Sequence, residues 1–322
     1  MSTVSATAGL TAARRRVRDW LGDRLLFGLT LLASLATVAL MLGIIYKILA
    51  GAHSAFNKFG IAFLWERVWD APKNIFGALP GLYGTAVTSL IALVIAVPLA
   101  IAIALFLSEL APQGVRAVVG TLVEMLAAIP SVVLGLWGIL VLGPFARDHI
   151  EPWLHSTLGF IPLFDGTPGS SGIFIAGLVL AIMVVPIIAS ICRELFVSVP
   201  QDLEEAAFAL GATRWEMVRG VVLSSSRPGI AAAVILGLGR AIGEAIAVTQ
   251  VIGAGWIIHS SLFSTGDTLA SRIAGQFVGA QSDLQTASLF YLAAILLVIG
   301  LVTNLVAQII VRRFEYQRAG AE

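Results

Sequence analysis

Residues Leu82–Leu107 read LYGTAVTSLIALVIAVPLAIAIALFL, an apolar run without one charged side chain. Crossing a hydrocarbon core of about 30 Å takes roughly 20 helical residues, and this run exceeds that. A large soluble core could account for apolar composition, but not for so long a stretch free of charge. Working outward, five more stretches share its character: Leu25–Leu49, Ala117–Gly143, Ile173–Ile191, Gly229–Gly253 and Ala287–Val311. The whole chain is 58% hydrophobic and 12% charged, against about 25% charged in a typical soluble domain. These features predict an all-α integral membrane protein with six transmembrane helices. Pro98, Pro130 and Pro186 fall inside three of the spans, which membrane helices tolerate where neighbours satisfy the freed carbonyls. Gly237-Leu238-Gly239 suggests close helix packing.

Basic residues set the orientation, because the connecting loops are short enough for positive charge to be kept inside. One set of segments comprises the N-terminus, the 108–116 turn, the 192–228 loop and the C-terminus. It carries Arg14, Arg15, Arg16, Arg18, Arg24, Arg116, Arg193, Arg214, Arg219, Arg227, Arg312, Arg313 and Arg318. The opposite set carries Lys47, Lys58, Arg67, Lys73, Arg147 and Arg272, leaving Arg240 inside a span. The first set is therefore expected in the cytoplasm. Residues 1–24 form a cytoplasmic N-terminal segment, 25–311 the membrane domain and 312–322 a cytoplasmic tail. Leu25–Tyr46 is longer than the ~7–15 apolar residues of a secretory signal and reads as a retained helix.

The remaining composition excludes several classes. A net charge of +1 argues against nucleic acid as a partner. The single cysteine, Cys192, rules out an internal disulfide and any multi-cysteine metal site. On the outer side, Trp65 and Trp69 suit an interfacial position. The Gly-, Pro- and Ser-rich stretch 144–172 reads as lacking long regular structure, and its His149 and His155 match no metal-ligand spacing. No Ser/His pair, metal-binding histidine motif or intramembrane Asp pair supports an enzyme inside the membrane. The chain is expected to hold no cofactor of its own.

The 192–228 loop is the one sizeable internal loop, and it reads as two short helices. Ser198-Val-Pro-Gln201 and Thr213-Arg-Trp-Glu216 both fit capping boxes, and Gly211 between them suits a left-handed helix end. Within it stand Glu205-Ala206-Ala207, then Gly211, then Val221-Val222-Leu223. This pattern resembles the EAA loop of ABC importer permeases, in which a hairpin docks into a groove on a separate ATPase. That family usually continues Leu-Pro, where this chain has Leu223-Ser224.

Other segments narrow the resemblance. Phe76-Gly-Ala-Leu-Pro80 with Gly84-Thr85, Phe106-Leu-Ser-Glu-Leu-Ala-Pro112, Ile129-Pro-Ser-Val-Val133 with Gly135-Leu-Trp137, and Arg240-Ala-Ile-Gly-Glu244 are similar to the permeases of phosphate-specific ABC importers, of the PstC type. The resemblance implies a type I importer fold and half of a heterodimeric pore that works by alternating access. The implied partners are a PstA-type permease, two PstB-type ATPases that bind ATP and Mg, and an extracytoplasmic phosphate-binding protein. A bacterial inner membrane is the implied location. The chain agrees with this division of labour, since it holds no Gly-x-x-x-x-Gly-Lys-Ser/Thr loop. The rivals are a permease of the same fold for sulfate or molybdate, and an ion-coupled transporter without an ATPase.

The expected substrate pathway centres on Arg240. Eleven residues past Gly229 it lies about 16 Å along its helix, near mid-membrane, and Glu244 one turn on would share its face. Intramembrane charge costs at least ~2.5 kcal/mol on insertion scales and marks function. Arg240 would offer its planar donor fork to phosphate oxygens, and Glu244 would hold it when the path is empty. Glu124, Ser131 beside the helix-breaking Pro130, Thr85 and Thr249 complete the candidates. The ATPase-coupling set is Glu205, Ala206, Ala207, Gly211 and Leu223.

Overall fold

The computed structural model describes the backbone of residues 4–319 and the side chains of residues 23–310. It divides into two units, residues 1–51 and 52–322. The first unit is most of helix α1 (Val4–Phe59), whose side chains from Leu25 to Tyr46 are almost all exposed and apolar, as a lipid-facing span requires. The N-terminal arginines Arg14 to Arg18 and the tail 312–322 lie outside the described side chains.

In the second unit the end of α1 leads through a 3₁₀ turn, Gly60–Leu64, to a small antiparallel ribbon. The ribbon pairs β1 (Trp69–Asp70) with β2 (Ile75–Phe76). The helices that follow are α2 (Leu79–Leu105), α3 (Gln113–Ala127), α4 (Ser131–Trp137), α5 (Gly143–Phe145), α6 (Glu151–Leu158) and α7 (Ile173–Val197). Beyond them come α8 (Gln201–Ala209), α9 (Arg214–Met217), α10 (Leu223–Gly243), α11 (Ile246–Val251), α12 (Leu269–Gln276) and α13 (Asp283–Ala319). Among the described residues, six stretches are long and apolar enough to cross a membrane: Asp23–Leu64, Leu79–Leu110, Ser131–Leu158, Ile173–Val197, Arg214–Gly243 and Asp283–Ile310.

Helix α7 is the centre of the unit. Its apolar side chains are buried on nearly every face, from Ile173 and Ile175 through Val184 and Ile188 to Cys192 and Phe196. A helix apolar all round is a core helix rather than an amphipathic one. Opposite it, α2 buries Ala92, Ala96, Ala100 and Ala104, one every fourth residue. A stripe of small residues at that spacing lets two helix backbones approach closely, which is how membrane helices gain van der Waals contact in lipid. Pro98 and Pro186 lie inside α2 and α7 without ending either helix.

The structure corrects the sequence reading at four places. The third span does not run unbroken over Ala117–Gly143; it stops at Ala127 and restarts at Ser131. Pro130 is the cause, since it lacks an N–H and disfavours helical geometry at Ile129. The restarted helix then continues to Leu158, so 144–158 is helical and only 159–172 is irregular. Two π-helical turns, Gly138–Leu142 and Ala146–Ile150, make this possible by placing Pro144 and Pro152 at helix starts where no donor is needed. Third, Ser198 forms no capping box. Its hydroxyl donates to the Leu195 carbonyl (2.7 Å) at the end of α7, and α8 begins after Pro200 without a side-chain cap. Fourth, α10 ends at Gly243, and Glu244 is extended (φ −73°, ψ 116°) before α11 begins.

Gly211 and the second box are as expected. Gly211 has φ +85°, a conformation glycine enters without a steric penalty. Around it the Gly211 N–H reaches the Phe208 carbonyl (2.9 Å) and the Ala212 N–H reaches the Ala207 carbonyl (3.1 Å), the paired bonds that close a Schellman turn. Thr213 and Glu216 cap each other's backbone donors. From Arg214 the helix passes through the π-turn Val218–Val222 into α10 without a break, so α9 and the fifth span are continuous at Leu223-Ser224.

Candidate functional site

Arg240 lies in the last turn of α10. One turn earlier, Gly237 sits so close to Val184 and Ile188 that an added Cβ would fall 2.8 and 2.9 Å from their side chains. Those two residues are midway along α7, which is about 37 Å long. Arg240 is therefore level with the middle of α7, although the helix that carries it runs from Arg214 to Gly243 and not over Gly229–Gly253 as the sequence suggested. Its side chain is 44% exposed, free to face a path, whereas that of Glu244 is 9% exposed.

The two charges are not partners on one continuous helical face. The closest approach of Arg240 Nη2 to Glu244 Oε2 is 4.0 Å, too long for a hydrogen bond. Glu244 Oε1 instead accepts the Ala247 N–H (3.4 Å) in the first turn of α11. The helix break thus separates the roles: Glu244 supports the restart of the chain, and the guanidinium of Arg240 keeps donors for another acceptor.

The remaining pathway candidates scatter. Glu124 accepts from Arg193 Nη2 (3.2 Å), an ion pair between α3 and α7. Ser131 is the first residue of α4, after the Pro130 break. The Thr85 hydroxyl donates to the Gly81 carbonyl (2.7 Å) and accepts the Leu269 N–H (3.0 Å), in a site 4% exposed. Both of its hydrogen-bonding roles are taken within the fold. The Thr249 hydroxyl donates to the Ala245 carbonyl (2.7 Å). Of the six, Arg240 alone combines mid-depth, charge and exposure.

A cavity of about 490 Å³ lies beside α10, lined by Thr85, Ser89, Leu93, Leu238, Ile242 and Ile299 among others. Leu238 and Ile242 are two residues either side of Arg240, which puts them on the far face of the helix. With no cation on its wall, this cavity does not suit an anion.

Two clusters at the ends of α2 were not singled out from the sequence. At the Leu79 end, Arg272 and Asp267 form an ion pair of 2.8 Å, both nearly fully buried. The guanidinium lies over the Trp256 ring at 4.2 Å and near Trp69 at 5.8 Å. Asp267 also accepts from the Ser271 hydroxyl and the Thr268 N–H. Burial raises the Asp267 carboxyl above its usual range, against the pull of Arg272 and these donors. The loop reaches α2 directly: the Asp267 carbonyl lies where a Cβ on Gly84 would collide with it. At the other end, Arg116 donates to the Ser108 carbonyl and Arg214 Nη2 to the Glu109 carbonyl (3.0 Å). The sequence signal for the first cluster was Thr268-x-x-Ser271, a reciprocal cap without the usual Glu or Gln.

Residues 96–316 match the family described as binding-protein-dependent transport system inner membrane component. The chain is 42% identical to the phosphate transport system permease protein PstC of Pasteurella multocida, over 86% of this chain and 87% of the relative. It is 41% identical to the protein of the same name from Mesorhizobium japonicum, over 94% and 93%. The chain belongs to the PstC permease family. As a permease it is a multi-pass inner membrane protein and not itself a catalytic enzyme. A solved bacterial ABC transporter for import of the polysaccharide alginate shares the fold at TM-score 0.58 and 21% identity, over 91% of this chain and 98% of that one. The permease therefore has the fold of ABC importer permeases, and its family works with an ATPase and a substrate-binding protein.

Proposed function

We propose that this permease carries inorganic phosphate inward, and that Arg240 is the residue the anion meets at mid-depth. The observation that carries the reading is a guanidinium in the last turn of α10, one turn past the Gly237 contact with the middle of α7, 44% exposed and without a hydrogen-bonded carboxylate. Such a charge is kept in a membrane for a substrate path, and its planar fork suits phosphate oxygens. The names of the relatives favour phosphate over sulfate or molybdate. The set Glu205, Ala206, Ala207, Gly211 and Leu223 is assigned to ATPase docking, with Ala206 exposed and Ala207 half-buried on α8. ATP and Mg belong to two PstB-type subunits, and a PstA-type permease supplies the other half of the path. The hairpin faces the cytoplasm, as do both termini.

The test is phosphate uptake by assembled complexes in vesicles. Arg240→Gln should abolish uptake with assembly intact, and Arg240→Lys, which keeps charge but loses the fork, should retain a part. Near-normal uptake by Arg240→Gln would refute the assignment. Orientation is read from single cysteines in a Cys192→Ser background. Exposed Asp165 and Val278 should label from outside once replaced by cysteine, and exposed Asp202 only after permeabilisation.

A further inference from the structure

Arg214 carries a charge in a position its own helix does not explain. It is the first residue of α9, where a cation opposes the positive N-terminal end of the helix dipole. Its Nη2 donates instead to the Glu109 carbonyl, 3.0 Å away and 105 positions earlier in the chain. Glu109 lies in the π-turn Phe106–Leu110 that closes α2. The carbonyls here are the ones a helix leaves without partners at its C-terminus, where positive charge is favoured. Arg116 caps the neighbouring Ser108 carbonyl, but Arg116 follows directly in α3 and ties nothing distant to α2. Arg214 is the polar contact that joins the hairpin to the end of that helix, beside Met217, Val218 and Val222, which are buried in one core cluster with Ala104 of α2.

A second charge acts against this contact. Glu204 on α8 has its carboxyl raised, first by burial and then by the like charge of Glu109. The hairpin is thus drawn to the end of α2 by one cation and pushed from it by one carboxylate. Arg214 is exposed and Glu109 half-buried, so the contact lies at the edge of the core.

We propose that Arg214 is the positioning residue through which the hairpin moves α2, passing a displacement imposed by the ATPase on to the span bundle. This rests on the ATPase-docking reading of the hairpin. Helix α2 has the build of a lever. It is about 40 Å long, it packs on α7 along its alanine stripe, and its first turns contact the Asp267 loop. A push at Glu109 is carried along it as along a rod.

The test uses the full complex in vesicles with the phosphate-binding protein supplied. It reads three quantities: ATPase retained on purification, ATP hydrolysed, and phosphate imported per ATP. Arg214→Ala should keep the ATPase bound and hydrolysing while import per ATP falls about tenfold, the factor that one charge-assisted hydrogen bond supplies. Arg214→Lys, which keeps one charged donor, should restore at least half. Glu109→Gln keeps the backbone carbonyl and removes only the charge that opposes Glu204, so import per ATP should not fall. Unchanged import per ATP in Arg214→Ala would overturn the proposal, as would loss of the ATPase itself, which would make Arg214 part of the docking surface. Failure of Glu109→Gln would show that the carboxylate is the true partner. If instead Gly211→Val, which reshapes the hairpin, leaves the ATPase bound and uptake normal, the docking reading fails on its own account.

Discussion

At the Leu79 end of α2, Arg272 is 6% exposed, paired to Asp267 at 2.8 Å and covered by the ring of Trp256. At the Leu105 end, Arg214 reaches the Glu109 carbonyl from an exposed position at the start of the continuous helix that becomes the fifth span. The first arrangement removes two charges from water, which costs several kcal/mol per ion and is recovered only with good geometry and further hydrogen bonds. Ser271 and Thr268 supply hydrogen bonds to Asp267, the Trp256 ring faces the Arg272 guanidinium, and the backbone joins in where Thr85 accepts the Leu269 N–H. The second arrangement is one charge-assisted hydrogen bond between an exposed Arg214 and a half-buried Glu109, and it costs less to make or to break than the buried pair. The polar grip on α2 is thus the stronger at the Leu79 end, while the Leu105 end is held by apolar packing around the buried Leu107, Met217 and Val222. That asymmetry fits a structure in which the hairpin end responds to a partner while the opposite end keeps its register.

The largest effect is therefore expected at the buried end. Asp267→Ala leaves the Arg272 guanidinium without its counter-charge and should cost about 3–5 kcal/mol. The measurement is apparent thermal stability of the purified permease in detergent, with assembled yield alongside. Asp267→Leu together with Arg272→Met removes both charges at similar volume and should recover much of the loss, because replacing a buried pair by apolar groups is often neutral. If the single and double variants are equally unstable, the pair is not what holds this end.

The hairpin end should answer differently. Gly211→Val forces a β-branched residue to φ +85°, a strain of about 1–3 kcal/mol. The strain falls on a turn around which nothing lies within 4 Å of an added Cβ. Thermal stability of the span bundle should hardly change, while ATPase retention and uptake fall. A drop in stability matching that of Asp267→Ala would erase the distinction between the two ends.

What the sequence disclosed follows the range of the forces concerned. The six-span count, the Gly211 turn and the Thr213–Glu216 cap rest on local pattern and were legible, whereas the bounds of the third and fifth spans were not. The break at Glu244 was not, because Gly243-Glu244-Ala245 bears no proline and continues an apolar run; its extended geometry is decided where α11 packs against α4. The helical course of 144–158 was hidden for the opposite reason, since Pro144 and Pro152 look like breakers unless π-turns place them at helix starts. Arg240 was found because intramembrane charge is rare enough to stand alone. Arg272 looked like one more outer-loop cation, and only the fold brings Asp267, Trp256 and Trp69 around it. Glu124 shows the converse: read as a pathway candidate, it has a nearer partner in Arg193, which comes from 69 residues away.

That last pair yields the smallest expected effect. Glu124 is 59% exposed in its side chain and Arg193 29%, at 3.2 Å, so the bond resembles the polar contact at the Leu105 end of α2 more than the buried pair. An exposed pair contributes about 0–1 kcal/mol, and Glu124→Gln should therefore shift thermal stability only slightly. Gly120 lies against the same guanidinium, where a Cβ would fall 2.6 Å from Arg193 Nη1, so Arg193 is held by packing as well as by charge. Glutamine keeps an oxygen that can still accept from Arg193, which removes the charge and little else. If Glu124 belongs to the substrate path, removing its negative charge should change phosphate uptake at low phosphate while leaving stability alone. If it is only a link between α3 and α7, uptake and stability should both stay near wild type. A double variant, Glu124→Arg with Arg193→Glu, separates the cases: it preserves the link with its charges exchanged, so near-normal uptake marks a structural pair, and lost uptake with normal stability places Glu124 on the path.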